Sequence, residues 1–161
     1  MNFLIRDARP DDAPAIVRLV RALAEYEKLL QHVEIDEGRV VESLFCPIPR
    51  AFCFLAEAGG NAVGSAIWFY SYSTFTGRHG IYLEDLFVEP EHRGLGIGKA
   101  LLRHLARRCV AENLSRLDWA VLDWNEPSIA FYRALGATPQ DSWTGYRLSG
   151  DALARLGSTK A

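Results

Sequence analysis

The sequence predicts a mixed α/β fold in which helices flank one central, mostly antiparallel sheet. Apolar side chains alternate with a period of two in several short runs, whereas other segments show the helical spacing of three and four residues. These runs come in the order strand, two helices and three strands, after which helices and strands alternate. The 161 residues suit one domain and contain no repeat or linker, so a single domain over residues 1–161 is predicted.

The amino-terminal half is predicted to form a strand, two helices and a three-stranded meander. Pro10 followed by two acids is typical of the first turn of a helix, where a missing N–H is tolerated and negative charge is stabilising. The apolar positions of that helix are Ile16, Leu19, Val20, Leu23 and Leu30. The other predicted elements are a strand at Phe3–Arg6, a helix at Asp36–Phe45, and strands at Phe52–Ala58, Ala62–Tyr72 and Ile81–Val88. Gly59-Gly60-Asn61 is a hairpin signature, and Pro90 stops the last strand.

The carboxy-terminal half is predicted to alternate between helices and strands. The elements are a helix at Gly96–Glu112, a strand at Leu117–Leu122, a helix at Ser128–Leu135, a strand at Trp143–Leu148 and a helix at Gly150–Leu156. A strand–helix–strand crossover returns to the same sheet. The strands at Ile81–Val88 and Leu117–Leu122 are therefore predicted to be parallel neighbours.

Composition excludes several classes of function. The net charge is −2 with 24% charged residues, so the chain lacks the basic surface that a nucleic-acid backbone requires. The three cysteines form no CxxC pair and the four histidines no HExxH arrangement, so no metal site is predicted. No apolar run approaches about 18 residues, so neither a signal peptide nor a membrane span is predicted, and a cytoplasmic location is expected.

The most informative segment is the glycine-rich loop at residues 88–99, between a predicted strand and an amphipathic helix. Glycines let the backbone approach a ligand, and the free N–H groups of a first helical turn favour an anion such as a diphosphate. A dinucleotide fingerprint fails, because its third glycine position would be Lys99 or Leu101. A Walker A loop fails because Ala100 replaces the required Ser or Thr. What remains is Arg-x-x-Gly-x-Gly from Arg93, a pattern that a plain helix-start turn also produces.

Two further segments carry reactive side chains. Glu84 and Asp85 lie in an otherwise apolar strand, where carboxylates are costly to bury unless they are paired or used. Adjacent strand residues face opposite sides, so the two acids have different roles unless a bulge re-aims one; an edge-strand salt bridge is the alternative. Downstream, Asn125 follows a strand end and Tyr132 lies in a Phe-Tyr-x-x-x-Gly-Ala pattern. A phenol with a pKa of about 10 can protonate a leaving thiolate, although helical aromatics commonly pack into a core.

Together, the glycine loop and the Asn…Phe-Tyr-x-x-x-Gly-Ala segment resemble the GNAT acetyltransferase superfamily. The resemblance implies the acyl-CoA N-acyltransferase fold, acetyl-coenzyme A as cosubstrate, and Tyr132 as general acid at the thioester sulfur. The implied cofactor-binding residues are Leu86, Phe87, Val88, Arg93, Gly94, Leu95, Gly96, Ile97, Gly98, Lys99, Asn125, Glu126, Pro127, Ser128 and Tyr132.

Within that superfamily the chain resembles the diamine acetyltransferase group, through stretches such as Leu23–Glu27, Tyr82–Asp85 and Trp124–Ser128. This implies a small-molecule primary amine as acceptor and a homodimer. Candidate interface aromatics are Trp68, Phe69, Tyr70 and Tyr72, of which alternation places half in the core. The implied amine-contacting residues are Tyr26, Glu27, Glu84, Asp85, Asp118, Trp119 and Ala120. Ser73 and Thr144 replace two acids associated with polyamine binding, which favours a thialysine-like or lysine-like amine or a short diamine over spermidine.

The predicted reaction is direct transfer in a ternary complex. No cysteine and no Ser-His-Asp arrangement offers a recognisable nucleophile, so no acyl-enzyme is expected. Glu84, through ordered water, is predicted to take the proton of the amine, and Tyr132 to protonate the departing sulfur. Two alternatives stay open: an acceptor that is a protein amine or an antibiotic, and a domain that binds coenzyme A without catalysis.

Overall fold

The computed structural model describes residues 2–158, so the ends of the predicted 1–161 domain, residue 1 and residues 159–161, lie outside the described part. The described residues group into two compact units, one up to Ala120 and one from Val121 onward. That the chain folds as a single domain stays a prediction.

The first unit contains a five-stranded sheet whose strands lie in chain order. The strands are β1 (Phe3–Asp7), β2 (Phe52–Ala58), β3 (Asn61–Ser73), β4 (Arg78–Val88) and β5 (Leu117–Trp119). The first four strands pair antiparallel, and β5 pairs parallel with β4, as the crossover predicts. The predicted mixed, mostly antiparallel sheet is therefore confirmed.

Three helices of the first unit, α1 (Ala13–Tyr26), α2 (Glu37–Leu44) and α3 (Ile97–Ala111), cover the sheet. On one face, Ile16 and Leu19 of α1 join Cys53, Leu55 and Phe87 in a buried cluster, with Val40 of α2 completing it. Phe54 points to the other face, because neighbouring strand residues alternate, and its ring lies 4.5 Å from that of His104 in α3. The sheet thus separates an α1 face from an α3 face.

The predicted interface aromatics do not share one environment. Trp68 is fully buried, with the Arg108 guanidinium 5.1 Å from its ring, so it belongs to the core rather than to an exposed surface. Phe69 is half-buried and stacks on Tyr82. Tyr70 and Tyr72 are exposed. Only part of the predicted aromatic surface is therefore available to another molecule.

Helix α1 ends at Tyr26, short of Leu30, which the apolar spacing assigns to the same helix. The N–H of Leu29 donates to the carbonyl of Ala24 (2.8 Å), and the N–H of Lys28 donates to the carbonyl of Glu25 (3.0 Å). These two bonds, with Lys28 at φ 61°, form the Schellman arrangement that terminates a helix. The prediction for Leu30 is wrong, because this residue lies beyond the cap in a 3₁₀ turn and is exposed.

The second unit contains α4 (Glu126–Ala134) and α5 (Gly150–Ser158), close to the two predicted helices. The strand predicted at Trp143–Leu148 is wrong, since no described residue of this unit is in a strand. An alternating run needs a hydrogen-bonded partner, and Gly145 interrupts this one. The predicted strand at Leu117–Leu122 is confirmed only as far as Trp119. None of the described helices is both long and apolar enough to span a bilayer.

Candidate active site

The loop from β4 to α3 turns sharply and leaves its backbone uncovered. A 3₁₀ turn at Pro90–His92 follows the strand, and Gly94 and Gly96 then take φ values of 75° and 83°. Such angles strain residues that have a Cβ, so glycine is needed at both positions. Apart from the adjacent residues of the chain, no heavy atom of residues 2–158 lies within 4 Å of the place where a Cβ would stand on either glycine. A ligand can therefore approach this backbone directly.

The start of α3 presents unpaired backbone donors beside those glycines. Gly96 is the residue before the helix, and no side chain caps it. The first helical hydrogen bond at this end runs from the N–H of Ala100 to the carbonyl of Gly96, 2.9 Å. The N–H groups of Ile97, Gly98 and Lys99 precede that bond and have no partner within the helix. These donors, the helix dipole and the exposed Lys99 all suit an anion, and the anion site itself stays a prediction.

Strand β4 continues past its parallel partner. Strand β5 pairs only with Ile81–Leu83, whereas β4 runs on to Val88. On its other edge this stretch stays paired with β3, where Gly64 lies opposite Val88. A Cβ on Gly64 would stand 2.9 Å from the carbonyl of Phe87, so glycine permits the close approach. Beyond Leu83, no strand of the described first unit pairs with the edge of β4 that faces β5. This open edge contains the predicted cofactor residues Leu86, Phe87 and Val88.

A β-bulge at Glu84 decides where the two strand acids point. Trp68 pairs with Leu83, and the preceding residue of β3, Ile67, pairs with Asp85, so Glu84 has no register partner. Leu83 therefore shares the α3 face with Trp68, while Asp85 shares the α1 face with Ile67. The sequence leaves open whether a bulge is present. The bulge turns Asp85 toward the α1 face. Strict alternation from Leu83 would instead have placed Asp85 on the α3 face.

Three carboxylates gather at this corner without a compensating cation among the described residues. Burial, with the charges of Glu84 and Glu27, raises the pKa of Asp85 to about 6. Burial also raises the pKa of Glu27. Burial of Glu27 and Asp85, and for Asp85 the neighbouring carboxylate charges, favour the protonated forms, so ionising these two groups costs free energy that a bound cation would recover. We call Glu27, Glu84 and Asp85 the acid trio.

The cap of α1 delivers two of the predicted amine-contacting residues. The helix ends at Tyr26, and Glu27 is the cap residue, so both side chains leave the last turn. Both are half-buried. The Arg93 guanidinium carbon lies 5.0 Å from the Tyr26 ring centroid, which links this helix end to the glycine loop.

Strand β5 brings one further predicted contact residue, Asp118, to the α1 face. Asp118 lies opposite Tyr82 in the register and forms an ion pair with Arg116, with 2.6 Å between Arg116 Nε and Asp118 Oδ2. Burial, with the charges of Glu84 and Asp118, raises the pKa of Tyr82. Trp119 is half-buried and Ala120 exposed. The sequence reasoning missed Tyr82 and Arg116, although the parallel pairing of β4 and β5 could have identified both.

The second unit holds the remaining predicted site residues. The Asn125 side chain accepts a hydrogen bond from the N–H of Ser128 (3.4 Å) and so caps α4, with Pro127 in the first turn. Tyr132 is half-buried on this helix, and its ring centroid lies 5.3 Å from that of Phe131. The cap thereby fixes the start of the helix that carries Tyr132. The roles of Asn125, Glu126 and Tyr132 stay predictions.

One group of side chains could in principle hold a metal ion. Ligand atoms of Glu89, Glu91 and His92 lie within 4.8 Å of one another at the foot of the glycine loop. Glu89 already forms an ion pair with Arg18. The carboxylate is thus partly neutralised by the protein itself.

Comparison with known proteins agrees with the geometry. The profile of the acetyltransferase (GNAT) family matches residues 17–137. Thialysine N-epsilon-acetyltransferase of Bos taurus is 40% identical over 95% of this chain and 96% of its own length, and that of Mus musculus is 37% identical over 94% and 95%. A solved integron cassette protein of V. cholerae shares the fold, with a TM-score of 0.83 at 24% identity and 99% coverage of both chains. The chain therefore belongs to the GNAT family and is an acetyltransferase.

Proposed function

We propose that the protein transfers the acetyl group of acetyl-coenzyme A to a primary amine of a small cationic substrate. Thialysine, a lysine-like amine or a short diamine is the acceptor class. The observation that carries this proposal is the acid trio, which has no cationic partner among the described residues and two of whose members, Glu84 and Asp85, lie on the strand that leads into the glycine loop. An ammonium ion is the partner that such a site lacks. The names of the 37–40% identical relatives support the same acceptor class.

The glycine loop suits a diphosphate in the proposed complex. Three adjacent backbone donors at the start of α3 and the open space over Gly94 and Gly96 accommodate anionic oxygens. The open edge of β4 offers backbone groups to the amide-bearing pantetheine arm, in the manner of an added strand. Acetyl-coenzyme A supplies the activated thioester. A backbone N–H at this edge would also stabilise the oxyanion of the tetrahedral intermediate.

The proton of the arriving ammonium is proposed to pass to the Glu84–Asp85 pair. The sequence assigns this role to Glu84 through water. We add Asp85 to this role, because its pKa is raised to about 6 and a general base works best with a pKa near the working pH. The neutral amine then attacks the acetyl carbon directly, in a ternary complex. Tyr132 is proposed to protonate the departing sulfur.

Two further predictions are kept as proposals. A homodimer is supported by the exposed aromatic side chains of Tyr70, Tyr72 and Phe75, on and beyond the end of β3. A cytoplasmic location is supported by three cysteines that are all free thiols.

An amine panel tests the proposed reaction. Purified protein is incubated with acetyl-coenzyme A and thialysine, lysine, 1,3-diaminopropane, spermidine, a peptide N-terminus or an aminoglycoside, and released thiol is measured. We expect the fastest release with thialysine or the short diamine. Coenzyme A binding without thiol release on any amine would favour the non-catalytic alternative. Fastest release with the peptide or the aminoglycoside would replace the acceptor class.

A Tyr132→Phe variant tests the general acid separately. It should lower kcat by about 10²-fold or more while leaving the affinity for coenzyme A nearly unchanged, since only the hydroxyl is lost. Undiminished turnover would remove Tyr132 from this role.

A further inference from the structure

The Arg93 side chain folds back from the glycine loop onto β4. Its Nε donates a hydrogen bond to the carbonyl of Val88, 2.9 Å. Its guanidinium carbon lies 5.0 Å from the ring centroid of Tyr26 and 5.7 Å from that of Phe87. One guanidinium therefore contacts the carboxy-terminal end of β4 and the end of α1 at once.

These contacts fall on two parts of the proposed site. Val88 belongs to the open stretch of β4, and Tyr26 stands beside Glu27 of the acid trio. Among the described residues only Nε of Arg93 is hydrogen-bonded and the side chain is exposed, so four N–H donors remain for a ligand. A planar guanidinium with free donors matches phosphate oxygens well.

We propose that Arg93 couples the two substrates of the reaction. In the free protein it holds the Val88 carbonyl and lies over the Tyr26 ring, an aromatic face that the ammonium group of the amine would otherwise contact. Two charge-assisted bonds to a diphosphate outcompete one carbonyl bond and one ring contact, so coenzyme A draws Arg93 toward the loop. The Val88 carbonyl is then released, and a competing cation leaves the surroundings of Tyr26. This inference rests on the proposed function.

The expected consequence is cooperativity between the two ligands. Amine affinity should rise on the order of tenfold when coenzyme A is bound, within the usual range for coupled sites. By linkage, the amine raises the affinity for coenzyme A by the same factor. In the Arg93→Ala variant the free protein should bind the amine about as tightly as the coenzyme A complex does, because the competing cation is absent.

Calorimetric titration of thialysine, with and without saturating coenzyme A, tests the coupling. The wild type should show the tenfold rise and Arg93→Ala should not. Lys99→Ala is the matched control, since it removes a loop cation that does not contact Tyr26; it should weaken coenzyme A binding and keep the coupling. Coupling retained in Arg93→Ala, or absent from the wild type, overturns the inference.

A second measurement separates this inference from the proposed function. In ¹⁵N-arginine spectra, the Nε–H resonance of Arg93, assigned by its absence in Arg93→Lys, should exchange slowly with solvent in the free protein. Adding coenzyme A should shift it. Rapid exchange in the free protein, or a resonance that coenzyme A binding leaves unmoved, overturns the role of Arg93. If coenzyme A does not bind at all, the proposed function fails, and an unchanged thialysine affinity in Arg93→Ala overturns this inference independently.

Discussion

Two clusters of acids flank Cys53 on the α1 face, and they differ in their cations. Asp12 and Glu57 share Arg6, with contacts of 2.7 and 2.8 Å, and that guanidinium lowers the pKa of Asp12. The acid trio has no such partner among the described residues, and the pKa of Asp85 is raised to about 6. Cys53, buried between Asp12 and Asp85, has its pKa raised to about 12 by burial first and then by both charges. The first cluster joins β1 to β2, whereas the second has no cationic partner among the described residues and is the proposed amine site.

The presence or absence of a paired cation distinguishes carboxylates that stabilise the fold from carboxylates that are available for function. A carboxylate whose charge is matched by the fold contributes to stability. A carboxylate whose charge is left unmatched raises the free energy of the folded state, which a protein tolerates at a binding site.

The largest effect is expected from Asp85→Asn. Loss of the proposed base should lower kcat/KM by about 10²–10⁴-fold and remove the limb of the pH profile near pH 6. Steady-state kinetics across pH measure this change. Asp12→Asn is the matched control and should leave the profile in place. If the pH profile of Asp85→Asn is unaltered, a group other than Asp85 accepts the proton of the amine.

The same two substitutions should have opposite effects on stability. Asp12 has a lowered pKa, so it stabilises the fold above its unfolded pKa, and this contribution is lost as pH falls through its folded pKa. Asp12→Asn should therefore destabilise by about 1–3 kcal/mol at neutral pH. Asp85 has a raised pKa, so the fold loses stability as pH rises from about 4 to about 6. Asp85→Asn should then stabilise by about 1–3 kcal/mol at about pH 8, and by little at about pH 3.

Urea denaturation of both variants at the two pH values measures these free energies. Destabilisation by Asp85→Asn at the higher pH would place Asp85 in the structural class with Asp12.

A smaller effect is expected from Glu27→Gln. It removes one charge of the acid trio at the end of α1 without touching the strand acids. The KM of the amine should rise roughly tenfold, the equivalent of one partly solvated charge pair, with kcat nearly unchanged. A fall confined to kcat would instead make Glu27 part of the chemistry.

The smallest effect is expected from Arg116→Gln, which removes the ion-pair partner of Asp118. The ion pair is half exposed, with 49% of the Arg116 side chain accessible, so stability should change by less than about 1 kcal/mol. The freed carboxylate should lower the KM of a cationic amine by about two- to threefold. A higher KM would mean that Arg116 itself contacts the substrate.

The sequence predicted most of the fold because its signals are local. Alternation, the Gly59-Gly60 turn and the crossover rule suffice for the meander and for the parallel β4–β5 pair. The strand at Trp143–Leu148 failed because alternation says nothing about a partner. Leu30 was misassigned because Lys28, not glycine, occupies the left-handed position of the helix cap.

The site was predicted as a set of residues rather than as an arrangement. The residue types on β4 and in the loop follow from the sequence, but a bulge that skips Glu84 arises from pairing across two strands and leaves no local mark. The direction of Arg93 was likewise invisible, since its partners Val88 and Tyr26 are five and 67 positions away. Tyr82 and Arg116 become visible only once β4 and β5 are aligned.

Analysis of the reaction product shows most directly whether the acetyl group of acetyl-coenzyme A is transferred to the amine. Wild-type protein is incubated with thialysine and acetyl-coenzyme A labelled with ¹³C in the acetyl group, and the carbon is followed by NMR. We expect the label to move to an amide on the side-chain nitrogen of thialysine, in equal amount to the coenzyme A released. Label found only as acetate, or left on the thioester, would contradict it.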